Sequence, residues 1–230
     1  TKEERILVPV TAGFNWRSAQ RTLLVYDFQG TLRTEIRLPN NTFGYRFADL
    51  DGDARRELFL SCYASGNDDS CARGTDAHSY WRVIDLEGRD RLRVQAGGFA
   101  TLATTQPLRP SAQALPLVLA SLSRSQDDEL RLYAAAGWLV REFRLSGFLN
   151  GPPLVADLDG DGAEDILIGL ADGSLIRLDA RLEERARWRY AASVQPLLAA
   201  DLTGDGWPEL ALRVGDELAV CDRELKFMAV

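Results

Sequence analysis

VADLDGDGAEDILI, residues 155–168, places Asp157, Asp159, Asp161 and Asp165 at relative positions 1, 3, 5 and 9 of a loop with an apolar strand on either side. The same frame recurs as FADLDGDARRELFL (47–60), with Asp49, Asp51, Asp53 and Glu57. It recurs again as AADLTGDGWPELAL (199–212), with Asp201, Thr203, Asp205 and Glu209. Carboxylates packed this densely repel one another unless the loop wraps a cation, and an all-oxygen donor set suits a hard ion such as calcium. Alternate residues of a tight loop point inward, so positions 1, 3 and 5 can share one centre. Gly160 and Gly162 suit the positive φ such a turn needs. The position 7 residue (Arg55, Ala163 or Trp207) offers its backbone carbonyl, and the acid at position 9 opens the next strand and closes the site. A solvated Asp-rich turn is the plain alternative for a single copy; three copies in one strand–loop–strand setting argue against it. An EF-hand is excluded, since it needs an acid at position 12 between two helices, and the flanks here are short and β-rich.

Working outward, segments of the form strand–Asp-x-x-Gly–strand recur as LLVYDFQGTL (23–32), RVIDLEG (82–88), LRLYAAAGWL (130–139), LIRLDARL (175–182) and LAVCDREL (218–225). They read as hairpins with tight turns at Asp27, Asp85, Ala134, Asp179 and Asp222, spaced by 58, 49, 45 and 43 residues. Several short strands repeated every 40–50 residues (roughly) predict an all-β fold, a β-propeller of four-stranded antiparallel blades. This register gives five approximate units, 1–40, 41–97, 98–148, 149–193 and 194–230, within one domain. The fourth is the most regular: PLVA, the acidic loop, DILIGL, SLIRL and RARWRY supply four strands, the last alternating as a half-exposed outer strand does. The first unit lacks an obvious innermost strand, and RILVPV (5–10) reads as its second. The second carries an insertion, Ala64–Ser79, between its second and third strands. The third has no acidic loop near 105–114; its SLSRSQDDEL (121–130) mimics one with serines but fits better between strands two and three. Five units could close alone or belong to a larger ring.

Composition sets bounds on function. The 230 residues are enough for one large all-β domain, and 46% hydrophobic content is ordinary for a globular chain. No apolar run is long enough to span a membrane. The chain starts at Thr1 without a signal-peptide pattern, so a processed or excised part of a longer protein is expected. Eleven of the 34 acids stand at the candidate ligand positions of the three loops; without them the remaining 23 acids face 27 bases, so the net charge of −7 is concentrated there. No basic run points to nucleic acid. Cys62 and Cys71 bracket a turn-rich segment and could close a short loop in an oxidising compartment, or stay as thiols. Cys221 reads as a buried thiol, and Asn40–Thr42 matches a glycosylation sequon of low specificity. His78 is the single histidine, which excludes a multi-histidine zinc site and reads as a surface residue; no catalytic set stands out.

The run DLDGDGAEDILIG (157–169), with the DGSL that follows, resembles the FG-GAP repeat, including its VCBS variants. The likeness is good around 46–60, 153–179 and 197–222 and rests elsewhere on hairpin patterning alone. It implies a β-propeller with structural calcium in the loops between first and second strands. The Asp157 loop matches that pattern fully; the Asp49 loop has Ala54 in place of glycine and Glu57 in place of aspartate; the Asp201 loop has Thr203 and Glu209. Affinity is therefore expected to fall in that order, with up to three ions bound. The expected function is a non-catalytic, extracellular or periplasmic module that binds a protein or a glycan, with the 64–79 insertion as contact element. Trp16, Trp81, Trp138, Trp188 and Trp207 are candidates for a sugar platform, although packing suits most of them. The alternative is the propeller portion of a secreted polysaccharide lyase or phospholipase.

Overall fold

The computed structural model describes residues 5–10, 21–66, 70–71, 74–123, 128–226 and 228. Among these there is no helix, and every sheet pairing is antiparallel, as expected of propeller blades. The chain divides into two compact units, 1–107 with 133–138, and 108–132 with 139–230.

In the first unit, β1 (Arg5–Val10), β2 (Thr22–Asp27) and β3 (Leu32–Arg37) form one sheet in that order. A second follows, built from β4 (Asn41–Ala48), β5 (Glu57–Tyr63), β8 (Ser79–Ile84) and β9 (Asp90–Gly97), with the inserted hairpin β6 (Ser70–Cys71) and β7 (Gly74–Thr75) between β5 and β8. The start of β10 (Leu102–Leu108) pairs with the end of β5. RILVPV thus pairs with the strand before the Asp27 turn, the place of a second strand. The core joins Leu23, Val25 and Ile36 to Leu58, Leu60 and Ile84.

The second unit contains β11 (Leu117–Ser123), β12 (Glu129–Tyr133) up to Leu132, and β13 (Leu139–Arg144), consecutive in one sheet. The serine-rich mimic therefore runs off the end of β11 toward β12, between strands two and three; its residues 124–127 lie outside the described residues. Next come the four strands β14 (Leu154–Ala156), β15 (Asp165–Gly169), β16 (Ser174–Leu178) and β17 (Glu184–Arg189). The last sheet is β18 (Val194–Ala200), β19 (Glu209–Val214) and β20 (Glu217–Cys221), where Met228 N–H donates to Val220 O at 2.9 Å beyond β20. Strand β15 is buried on both faces, so its apolar residues run continuously and the pleat shares them out. Ile166 and Ile168 join one core with Leu119, Leu130 and Ile176, while Leu167 joins another with Leu175, Val194 and Leu210. The last residue of β15, Gly169, admits no side chain, since a Cβ there would lie 2.1 Å from Val194 O.

All five expected turns form alike; four join paired strands, and the fifth, at Asp222, follows β20, the last strand among the described residues. The backbone oxygens of Asp27, Asp85, Ala134, Asp179 and Asp222 accept from the N–H three residues on, and their own N–H groups donate to the oxygen four residues on. The residue three on is left-handed: Gly30, Gly88 and Gly137, but also Leu182 (φ 59°) and Leu225 (φ 61°). Both leucines are buried in the cores of the second unit, which offsets the strain of that conformation.

Candidate metal loops

Each acidic loop bridges two adjacent strands of one sheet: β4–β5, β14–β15 and β18–β19. Their hydrogen-bonded skeletons are the same. The position 1 carboxylate accepts from the N–H groups of positions 4 and 6: Asp157 from Gly160 (2.7 Å) and Gly162 (3.0 Å), Asp49 from Gly52 and Ala54, Asp201 from Gly204 and Gly206. The position 5 carboxylate accepts from the N–H of position 7, pairing Asp53 with Arg55, Asp161 with Ala163 and Asp205 with Trp207. The position 9 acid is buried in all three and reaches back to the N–H of position 2: Glu57 to Leu50 (2.8 Å), Asp165 to Leu158 (3.2 Å) and Glu209 to Leu202 (2.7 Å). Burial pushes the carboxyls of Glu57 and Asp165 up, opposed by these N–H groups and by arginine. Ala54 adopts φ 64° and so keeps the glycine conformation of its sister loops.

Position 3 separates the loops. One Arg177 guanidinium nitrogen lies 2.5 Å from Asp159 Oδ2 and 2.7 Å from Asp165 Oδ2. Arg91 stands farther off in the Asp49 loop, 3.5 Å from Asp51 and 3.9 Å from Glu57. Thr203 needs neither: its hydroxyl donates to Glu209 Oε1 at 3.2 Å. The strand position facing the third loop as Arg177 faces the second is held by Val220, since Leu167 pairs with Arg177 and Ala211 with Val220. Sequence reasoning did not find Arg177 or Arg91.

Oxygens bound to one calcium at about 2.3–2.6 Å stand no more than about 5 Å apart. Asp157, Asp159 and Asp161 meet this condition, as do Asp49, Asp51 and Glu57, each set within 4.8 Å. Asp165 and Asp53 stay outside these sets, and among the described residues the Asp201 loop gathers no such triple. The donor chemistry therefore fits a hard divalent cation in two loops, and a guanidinium already stands against the carboxylates of one.

Neighbouring loops of the second unit interlock. Trp207 packs on Gly160, where a Cβ would lie 2.8 Å from the ring, and carries the Arg223 guanidinium 3.9 Å from its centroid. Gly162 faces Ala112, and Arg109 and Glu164 exchange hydrogen bonds at 2.7 and 2.8 Å.

Other expected features divide. Trp81 is buried, Trp188 half-buried, and Trp138 and Trp207 exposed, whereas Trp16 lies outside the described residues. Asn40 is buried and its amide donates to His78 O, so the sequon offers no accessible acceptor. The Cys62–Cys71 bridge is not formed; Cys62 is a buried thiol that donates to Tyr80 O and accepts from Tyr80 N–H, and burial raises it to about 11. Cys221 is a buried thiol, as expected. The insertion is anchored by a buried ion pair, Arg21 to Asp76 at 3.0 Å, with Ser65 donating to the same carboxylate; residues 67–69 and 72–73 lie outside the described residues.

Residues 127–206 match the family model of the lambda-carrageenase beta-propeller domain, a stretch that includes the whole Asp157 loop. No curated protein matches the chain by sequence. Among solved structures, the Dos1 propeller is similar with a TM-score of 0.60 at 11% identity, over 97% of this chain and 56% of that one. The rhamnogalacturonan lyase YesW is similar with a TM-score of 0.60 at 15% identity, over 95% and 44%. The Bacillus licheniformis rhamnogalacturonan lyase PL11 gives 0.58 at 15%, over 96% and 45%. The chain thus spans about half the length of these structures. At such identities the likeness is one of fold: the chain is a β-propeller, all-β and built of antiparallel blades.

Proposed function

We propose that this chain is a calcium-stabilised propeller of the FG-GAP/VCBS type that works in an extracellular or periplasmic setting as the non-catalytic, ligand-docking part of a polysaccharide-degrading protein. The observation that carries the reading is the convergence of three carboxylates in each of two sister loops, one of them inside the stretch resembling the lambda-carrageenase propeller. The similarity to two rhamnogalacturonan lyases supports a polysaccharide context. The non-catalytic reading draws on the acids themselves: those of the loops are engaged by backbone N–H groups and arginines, and the single histidine lies half-buried in the insertion. A protein partner is the second reading, favoured by the insertion that Arg21 and Asp76 fix in place.

Affinity electrophoresis of the chain in gels containing rhamnogalacturonan or lambda-carrageenan, with calcium or with chelator, tests the proposal. Retardation with calcium, its loss with chelator and no release of oligosaccharide are expected. Release of product would overturn the non-catalytic assignment, and mobility unchanged by every polysaccharide would overturn the glycan assignment. Calcium at about ten times its dissociation constant adds roughly 1.4 kcal/mol per site, so chelation should lower the melting temperature by several degrees.

A further inference from the structure

The position 3 acids are matched by arginines that come from elsewhere in the fold. Asp159 meets Arg177, 18 residues on, and Asp51 meets Arg91 on β9. Where position 3 is the neutral Thr203, the facing strand position is Val220 and the hydroxyl satisfies the position 9 acid. The acids at positions 1, 5 and 9 make the same backbone hydrogen bonds in all three loops, so the loops differ in what stands against positions 3 and 9. In the Asp157 loop the guanidinium bridges positions 3 and 9, and the acids that converge are those of positions 1, 3 and 5. In the Asp49 loop the arginine stands off, and Glu57 remains in the converging set.

We propose that Arg177 is a built-in counter-cation, holding Asp159 and Asp165 in the metal-free loop and competing with a divalent ion for them. The inference rests on the calcium reading above and adds its control. A metal that draws on both carboxylates must displace the guanidinium, whose charge also repels the ion. The loop that matches the repeat pattern fully is thereby the gated one, and the Asp49 loop, with its looser arginine, fills first. This reverses the order expected from the sequence pattern.

Calorimetric calcium titration of the whole chain tests the proposal, comparing wild type with Arg177→Gln and with Arg177→Lys. Arg185→Gln serves as a control, because Arg185 pairs with Asp179 and removes the same charge from the same sheet without touching the loop. Losing a competing ion pair of about 1 kcal/mol corresponds to roughly fivefold tighter binding. We expect that gain at one site in Arg177→Gln, a smaller gain in Arg177→Lys, little change in Arg185→Gln, and loss of the gain when Asp161→Asn is added. The melting temperature of Arg177→Gln should fall below wild type in chelator and recover more on adding calcium. Equal affinities in wild type and Arg177→Gln would overturn the counter-cation while leaving the calcium reading intact. Failure of every variant and of wild type to bind calcium would overturn both. If Arg177→Gln does not fold, Arg177→Lys carries the comparison, and binding no tighter than wild type overturns the proposal.

Discussion

Ala54 holds φ 64° where its sister loops have Gly162 and Gly206. A left-handed alanine costs about 1–2 kcal/mol, partly offset because alanine has less freedom to lose on folding. Ala54→Gly should therefore stabilise the protein by about 0.5–1 kcal/mol. The reverse change, Gly162→Ala, should destabilise by about 1–2 kcal/mol, because its Cβ would also lie 2.9 Å from Ala112 Cβ. Urea unfolding of the two variants checks this, and shifts of the same sign would contradict it. The turn aspartate Asp179 carries a pH signature. Burial would raise the Asp179 carboxyl, but the N–H groups of Glu183 and Arg181 and the Arg185 guanidinium outweigh it and hold the group below its ordinary value of 3.8. A carboxyl lowered by folding contributes stability that is present above the unfolded value and lost as pH falls through the folded one. Asp179→Asn keeps the turn acceptor and removes the charge, so it should cost about 1 kcal/mol at neutral pH. That difference should shrink below about pH 4 in melts run from pH 7 to pH 3; a gap constant with pH would show that charge is not its source.

Elements were legible where their signals are local. The Asp-x-x-Gly turns fixed the hairpins because the aspartate accepts from nearby N–H groups, and even Leu182 and Leu225 in the glycine position did not disguise them. The acidic loops were legible as strand connections for the same reason. Their counter-charges were not: Arg177 lies 12 residues from Asp165, and Arg91 reaches Glu57 from β9, through strand pairings no spacing rule encodes. Position 9 acids look like metal ligands in sequence; folding also gives each of them a backbone N–H to hold, and Glu57 still joins a converging set. The insertion between β5 and β8 was visible as a length anomaly, but its anchor joins residues 55 apart. Asp76 is fully buried and accepts from Arg21 and Ser65, while its backbone oxygen accepts from Gly66 N–H. Removing one member of a buried pair leaves an uncompensated charge, at a cost of about 3–5 kcal/mol. Asp76→Ala should lose that much in urea unfolding, and the double change Arg21→Met with Asp76→Leu should lose clearly less. Equal losses would mean that packing, not charge, anchors the insertion.

On the largest scale that the contacts reach, the two acidic loops of the second unit are linked to their neighbours rather than independent turns. The segment 109–116 takes the place of an acidic loop; Arg109 and Ala112 bind it to Glu164 and Gly162 of the Asp157 loop. Trp207 of the next loop lies on Gly160 of the same Asp157 loop and is covered by Arg223. A cation that fixes Asp157, Asp159 and Asp161 would therefore stiffen a loop that both neighbours rest on. Loops open locally at a lower free energy than strands, and contacts between them make that opening cooperative. Hydrogen exchange should show calcium protecting amides in 109–116 and 201–209 as well as in 157–165, although the Asp201 loop gathers no acidic triple of its own. Trp207→Ala should abolish the extra protection at 201–209 and leave that at 157–165. If calcium protected 201–209 equally in wild type and Trp207→Ala, the third loop would be binding an ion directly, with Thr203 in place of the position 3 carboxylate.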